Sequence, residues 1–158
     1  GMPSVKRLIS GPRCVLLAAL VLATLSAQAQ FARSPQPLKT AVLQPSEALN
    51  AQAYRLDAAR HIYGTYPSHI LKGRVPALVY AIVVTETELD ARGRVLKVRV
   101  VRQPAVAREV TPWVVSLIRR ASPLPPPPAR LGRVKVLEVW LVDKSGLFQV
   151  HSLTEGQL

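Results

Sequence analysis

Residues 77–102 read ALVYAIVVTETELDARGRVLKVRVVR, and the fold follows from this stretch. Ala77 to Val84 is an almost unbroken apolar run, β-branched at its end, which predicts a strand covered at least partly on both faces. It continues through Thr85, Glu86, Thr87, Glu88, Leu89 and Asp90, where strand alternation places Glu86, Glu88 and Asp90 on one face. Ala91-Arg92-Gly93 predicts a turn with Gly93 at positive φ. Arg94 to Arg102 is the returning strand, with Leu96, Val98 and Val100 on one face and Lys97 and Arg99 on the other. The carboxylates are then a solvated stripe opposite Lys97 and Arg99, each cross-strand pair contributing ~0.2–1 kcal/mol. An antiparallel hairpin is the nucleus of the fold.

Working outward toward the C-terminus, Val110, Trp113, Val114, Leu117, Ile118 and Ala121 recur at helical spacing. Pro112 is tolerated only in a first turn, so this helix starts near Thr111, and Arg119 and Arg120 suit the negative end of its dipole. Residues 122–128 (SPLPPPP) can form neither helix nor central strand and predict an extended polyproline connector, the alternative being a ligand for an aromatic groove. Val134 to Val142 (VKVLEVWLV) is a strand apolar on both faces, with Trp140 opposite Leu137, Val139 and Leu141. One of those faces is for the helices. The other awaits a second copy of the chain or a partner's strand. Asp143 to Gly146 predicts a turn, and Leu147 to Leu153 a last strand.

Toward the N-terminus, Ser46 is placed to cap a helix over Glu47 to Tyr63, with Leu49, Ala53, Leu56 and Tyr63 near helical spacing and Gly64 as its stop. Tyr66-Pro67 opens a short turn that ends at Gly73. The resulting order predicts an α+β fold: an antiparallel sheet of three to four strands with two helices packed on one face. Residues 30–45 contain three prolines and no hydrophobic period, and read as an extended linker ahead of a single domain over 46–158.

Residues 1–29 read as an export signal. Lys6, Arg7 and Arg13 precede an apolar run from Val15 to Leu25, and Ser26-Ala27-Gln28-Ala29 supplies the small residues that predict cleavage after Ala29. The run is short of the ~20 apolar residues that a spanning helix needs, so cleavage is favoured over retention as an anchor. Gly1, ahead of Met2, reads as a residue left by cloning. Cys14, the single cysteine, lies on the basic side of the run and leaves with it, so a cleaved chain has no thiol to mispair in an oxidising compartment. Over the whole chain 21 Lys and Arg face 9 Asp and Glu, a net charge of +12. The cations are dispersed along the chain, and export places anionic lipid and wall polymer ahead of nucleic acid as their counterpart. Hydrophobic residues at 49% supply a core and exclude a wholly disordered chain.

The sequence holds no motif for catalysis. His61 and His69 are separated by Gly64 and Pro67 and do not share a helix face as a zinc pair does, and His151 lies on the predicted last strand. There is no Gly-rich phosphate loop and no G-x-S-x-G nucleophile turn. No enzyme activity, cofactor or metal is expected.

The order Tyr66-Pro67, Gly73-Arg74-Val75, the Asp90 to Val95 turn, the helix before Ser122, the proline cluster and the strand from Val134 resembles the C-terminal domain of the TonB family and of the related TolA proteins. The resemblance spans Tyr66 to Leu153. Ala77 stands where that family often carries a second glycine, and the first hairpin is longer than usual. It implies a non-enzymatic interaction domain of the Gram-negative periplasm that binds an envelope protein by strand addition at a sheet edge, or pairs with itself as a dimer. Leu147, Phe148, Gln149, Val150 and His151 are the partner-binding residues expected on this basis. A structural envelope protein that binds anionic lipid or wall polymer through a basic face is the alternative, and a membrane-anchored energy transducer a third. Against transduction, residues 30–45 reach only about 50–60 Å when fully extended, too short for a periplasmic spacer.

Overall fold

The hairpin forms as two strands, β1 (Ala81–Leu89) and β2 (Val95–Arg102), in a computed structural model that describes residues 1–3, 29–39 and 42–156. The export signal read over residues 1–29 lies mostly outside the described residues. No helix among the described residues is long and apolar enough to cross a membrane. Gly93 takes φ +82 in the turn, and a Cβ there would lie 2.0 Å from the Leu124 carbonyl oxygen, so only glycine fits. Asp90 anchors the same turn. Its carboxylate accepts from the Arg94 and Arg92 N–H groups and from Arg94 Nε at 2.9 Å, and these bonds hold its carboxyl below the usual range.

Strand β2 departs from simple alternation. Register shifts fall beside Glu88/Leu89 and Val84/Thr85, leaving Leu96 and Val101 as the extra residues of two bulges. The face packed toward the core is therefore Val95, Val98 and Val100, and Leu96 is turned out. Strand β3 (Val134–Val142) pairs antiparallel with β1 in unbroken register, Thr85 opposite Glu138 and Val83 opposite Trp140. Strand β4 is short, Phe148–Val150, because His151–Leu153 turns into a 3₁₀ helix. The sheet order is β2-β1-β3-β4, and the fold is α+β, with one antiparallel four-stranded sheet and two packed α-helices among the described residues.

Helix α1 (Ala51–Thr65) starts later than Ser46 predicts. Asn50 is the cap, its Oδ1 accepting from Ala53 N at 2.8 Å, whereas the Ser46 hydroxyl is spent on Asp57. The buried face is Tyr54, Ala58, Ala59, Ile62 and Thr65, while Leu49 is 81% exposed. A leucine stripe thus misleads here. The sheet takes small residues for close approach and reserves its larger sites for Tyr54 and Ile62. Gly64 stays inside the helix, which ends at the Tyr66 cap.

Helix α2 (Val110–Arg120) matches its pattern, with Val110, Trp113, Val114, Leu117 and Ile118 buried and Pro112 in the first turn. After it, the proline segment binds the domain: Leu124 N donates to Gly93 O, Tyr54 Oη to Pro125 O and Ser46 N to Pro126 O. The polyproline run is a connector fixed at three points.

The extended linker read over residues 30–45 is a helical turn and bend through Arg33, with no regular structure over 34–39, and it is not free. Phe31 is buried, stacked on Tyr80 and edge-on to Trp113, whose Nε1 donates to Arg33 O. Ser34 bonds Ser116, Lys39 Nζ donates to Arg120 O, and Leu38 N to Thr65 O. The segment is a strap across α2, and among the described residues Phe31 belongs to the main core cluster.

Candidate protein interface

A sheet binds another chain through whichever edge keeps its backbone groups free, so the two edges decide where a strand can be added. Edge β4 is closed. Phe148, Gln149 and Val150 are all buried. Leu71 N donates to Phe148 O at 2.8 Å, with Ile70 bridging Phe148 in parallel. Gln149 Nε2 donates to Leu71 O at 2.7 Å and also to Gly73 O. Val150 N donates to the Tyr63 hydroxyl at 3.1 Å. The stretch from Ile70 to Gly73 occupies the place of a fifth strand. The partner site read at Leu147, Phe148, Gln149, Val150 and His151 is therefore corrected: only Leu147 and His151 keep exposed surface, and the edge between them is filled from within. Burial of Gln149 through carbonyls 76 and 78 residues away is a long-range event that no local pattern in Leu147–Leu153 announces.

Edge β2 is different. Its first residue, Val95, donates its N–H to Ser122 Oγ at 3.0 Å. Beyond it, among the described residues, β2 pairs with β1 alone. Leu96 and Val101 are each about half exposed, and Lys97, Arg99 and Arg102 are exposed.

On the sheet face away from the helices, Arg99 meets Glu86 at 3.1 Å and Arg133 meets Glu88 at 3.4 Å. The carboxylate stripe stands opposite Lys97 and Arg99 as expected, and the structure gives the register: Glu86 pairs with Arg99 and Glu88 with Lys97. Asp90 does not join them, being committed to the turn. Beside these charges Ile82 and Leu137 are about half exposed, with Val84, Val139 and Leu141 partly covered between them. This is the unhelical face of β1 and β3.

The Ser46, Asp57 and His61 side chains are tied into hydrogen bonds. Ser46 Oγ donates to Asp57 Oδ2 at 2.5 Å, and Asp57 also takes Arg60, in an open groove of about 770 Å³. His61 lines the groove, but its Nε2 donates to Ala121 O at 2.8 Å, and burial lowers its pKa. His69 and His151 lie on separate 3₁₀ turns. Among the described residues no group of three His, Cys, Asp or Glu stands in reach of one metal ion.

The charged centre of the core is Glu138. Its Oε1 meets Arg55 at 3.0 Å and accepts from Ser152 N, while Oε2, Arg55 Nε and Ser152 Oγ are buried without a partner. This cluster joins α1, β3 and the last 3₁₀ turn. Trp140 Nε1 donates to Thr85 Oγ1 beside it.

No family model, curated protein or solved structure matches this chain.

Proposed function

We propose that this chain is an exported, non-enzymatic interaction domain of the cell envelope that binds an extended segment of a partner protein by strand addition, at β2. The observation that carries this reading is the asymmetry of the sheet: β4 is sealed by Ile70–Gly73, whereas among the described residues β2 runs from Leu96 to Arg102 beside β1 only. The basic leader, the apolar run and the small residues before Gln30 support export, and the resemblance to the TonB and TolA C-terminal domain supports a periplasmic binding role.

The test is in-cell photo-crosslinking from two positions, Val101 on β2 and His151 after β4. Capture of one partner through an extended segment from Val101 and none from His151 is the expected result. Capture from His151 alone would move the site to the other edge, and capture from neither would overturn strand addition.

A second reading rests on the excess of cations on the outer sheet face, where Lys97, Arg99, Arg102, Arg133 and Lys135 stand against Glu86 and Glu88. Such a face suits anionic lipid or wall polymer. Charge-led binding of that kind weakens steeply as salt rises, whereas backbone pairing changes little.

A further inference from the structure

We propose that the segment β2 accepts is acidic, alternating Asp or Glu with apolar residues, and that the same charges bar a second copy of this chain. The proposal rests on strand addition at β2 and names the chemistry of the partner.

The register determines which backbone groups are on offer. Asp90 N donates to Arg94 O, so those two residues form a hydrogen-bonded pair. Leu89 and Val95 are then a non-bonded pair, and Val95 N turns away from β1, where Ser122 receives it. Carried through the bulge at Leu96, the alternation turns the N–H and C=O of Val98 and Val100 outward as well, with Arg99 between them bonded to β1. An incoming strand pairs with those two residues.

Side chains of the incoming strand alternate between the two faces. On the helix side they adjoin Val98 and Val100, which already pack on the core and call for apolar residues. On the other side they stand against Lys97, Arg99 and Arg102. Arg99 is held by Glu86, but Lys97 and Arg102 have no ion pair among the described residues. Glu88, across from Lys97, reaches Arg133 instead. A carboxylate at every second position of the partner supplies what this row lacks.

The same row acts against self-pairing. Two copies joined through β2 would set the row Lys97, Arg99 and Arg102 against the same row of the other copy, and like charges facing across strands destabilise a sheet. A basic or neutral segment gains nothing from it.

The test uses fluorescence anisotropy with the 158-residue chain and three labelled nine-residue peptides that alternate Val with Glu, with Ser or with Lys. Expected is binding of the Val/Glu peptide about tenfold tighter than Val/Ser, with Val/Lys weakest, and reversal of that order in a Lys97→Glu/Arg102→Glu variant. Val100→Pro removes an outward N–H without touching the β1 ladder and should abolish binding. Should that variant fail to fold, new hydrogen-exchange protection of the Val98 and Val100 amides on adding Val/Glu to the unaltered chain carries the same information.

Equal affinity for Val/Glu and Val/Ser, lost in Val100→Pro, would overturn the acidic preference and leave strand addition standing. Undiminished Val/Glu binding in a folded Val100→Pro variant that vanishes at high salt would mean a polyanion surface, and overturn both. A β2-paired dimer of the chain would overturn the bar against self-association.

Discussion

Phe31 meets Trp113 edge to face, their ring centroids 5.1 Å apart. That contact fastens a proline-rich strap onto α2, and it makes residues with no hydrophobic period part of the core. Aromatic pairs of this geometry contribute about 0.5–1.5 kcal/mol beyond their area. Phe31→Ala should therefore destabilise the domain by about 3 kcal/mol, read from the urea midpoint at constant slope. A loss under about 1 kcal/mol would show that the strap is dispensable.

The turn at Gly93 is a second point of tight fit. Gly93→Ala forces a methyl against the Leu124 carbonyl at positive φ, and a loss of about 3 kcal/mol or more is expected. Gly73→Ala, at the same φ of +82 but with open space around it, should cost only about 1–2 kcal/mol. Equal costs would mean that φ alone, and not the proline segment, determines the residue.

Glu138→Ala leaves the Arg55 guanidinium and Ser152 N without their acceptor, and should cost about 3 kcal/mol. Arg55→Leu combined with Glu138→Leu removes both charges and should recover much of it. The double-mutant cycle measures the coupling, and additive losses would show that the two residues act independently.

His61 gives the domain a pH dependence. Burial lowers its folded pKa below 6.5, so the unfolded chain binds the proton first. Stability is at its plateau above pH 6.5 and falls as the pH drops below it. His61→Gln should flatten that slope in denaturation series between pH 7 and 5. An unchanged slope would assign it to another group.

Gln149→Ala frees the Leu71 and Gly73 carbonyls that now seal the sheet. A loss of about 1–3 kcal/mol is expected, with faster amide exchange at Leu71. Exchange unchanged at Leu71 would mean that the backbone bond to Phe148 seals the edge without Gln149.

How legible each part was depends on the range of the interaction behind it. The β1–β2 hairpin, β3 and the α2 stripe are written in neighbouring residues, because alternation and helical spacing act over a few positions. The bulge at Leu96 breaks that reading. Leu96 and Val98 share a face by count alone, and one extra residue in the ladder separates them. Leu49 and Leu56 misled in the same way, since Tyr54 and Ile62 are selected by the sheet across from them and not by hydrophobicity along the helix.

The sequence by itself determined the α+β class, the antiparallel pairing, the facing of the acidic stripe with Lys97 and Arg99 and the turn glycine, all products of local sterics and periodicity. Only the tertiary structure decided which sheet edge is open. Residues 70–73 fold back on β4, Ser122 binds one end of β2, and the strap buries Phe31. Each of these joins segments far apart in the chain. A strand's own residues carry no record of what lies beside its edge.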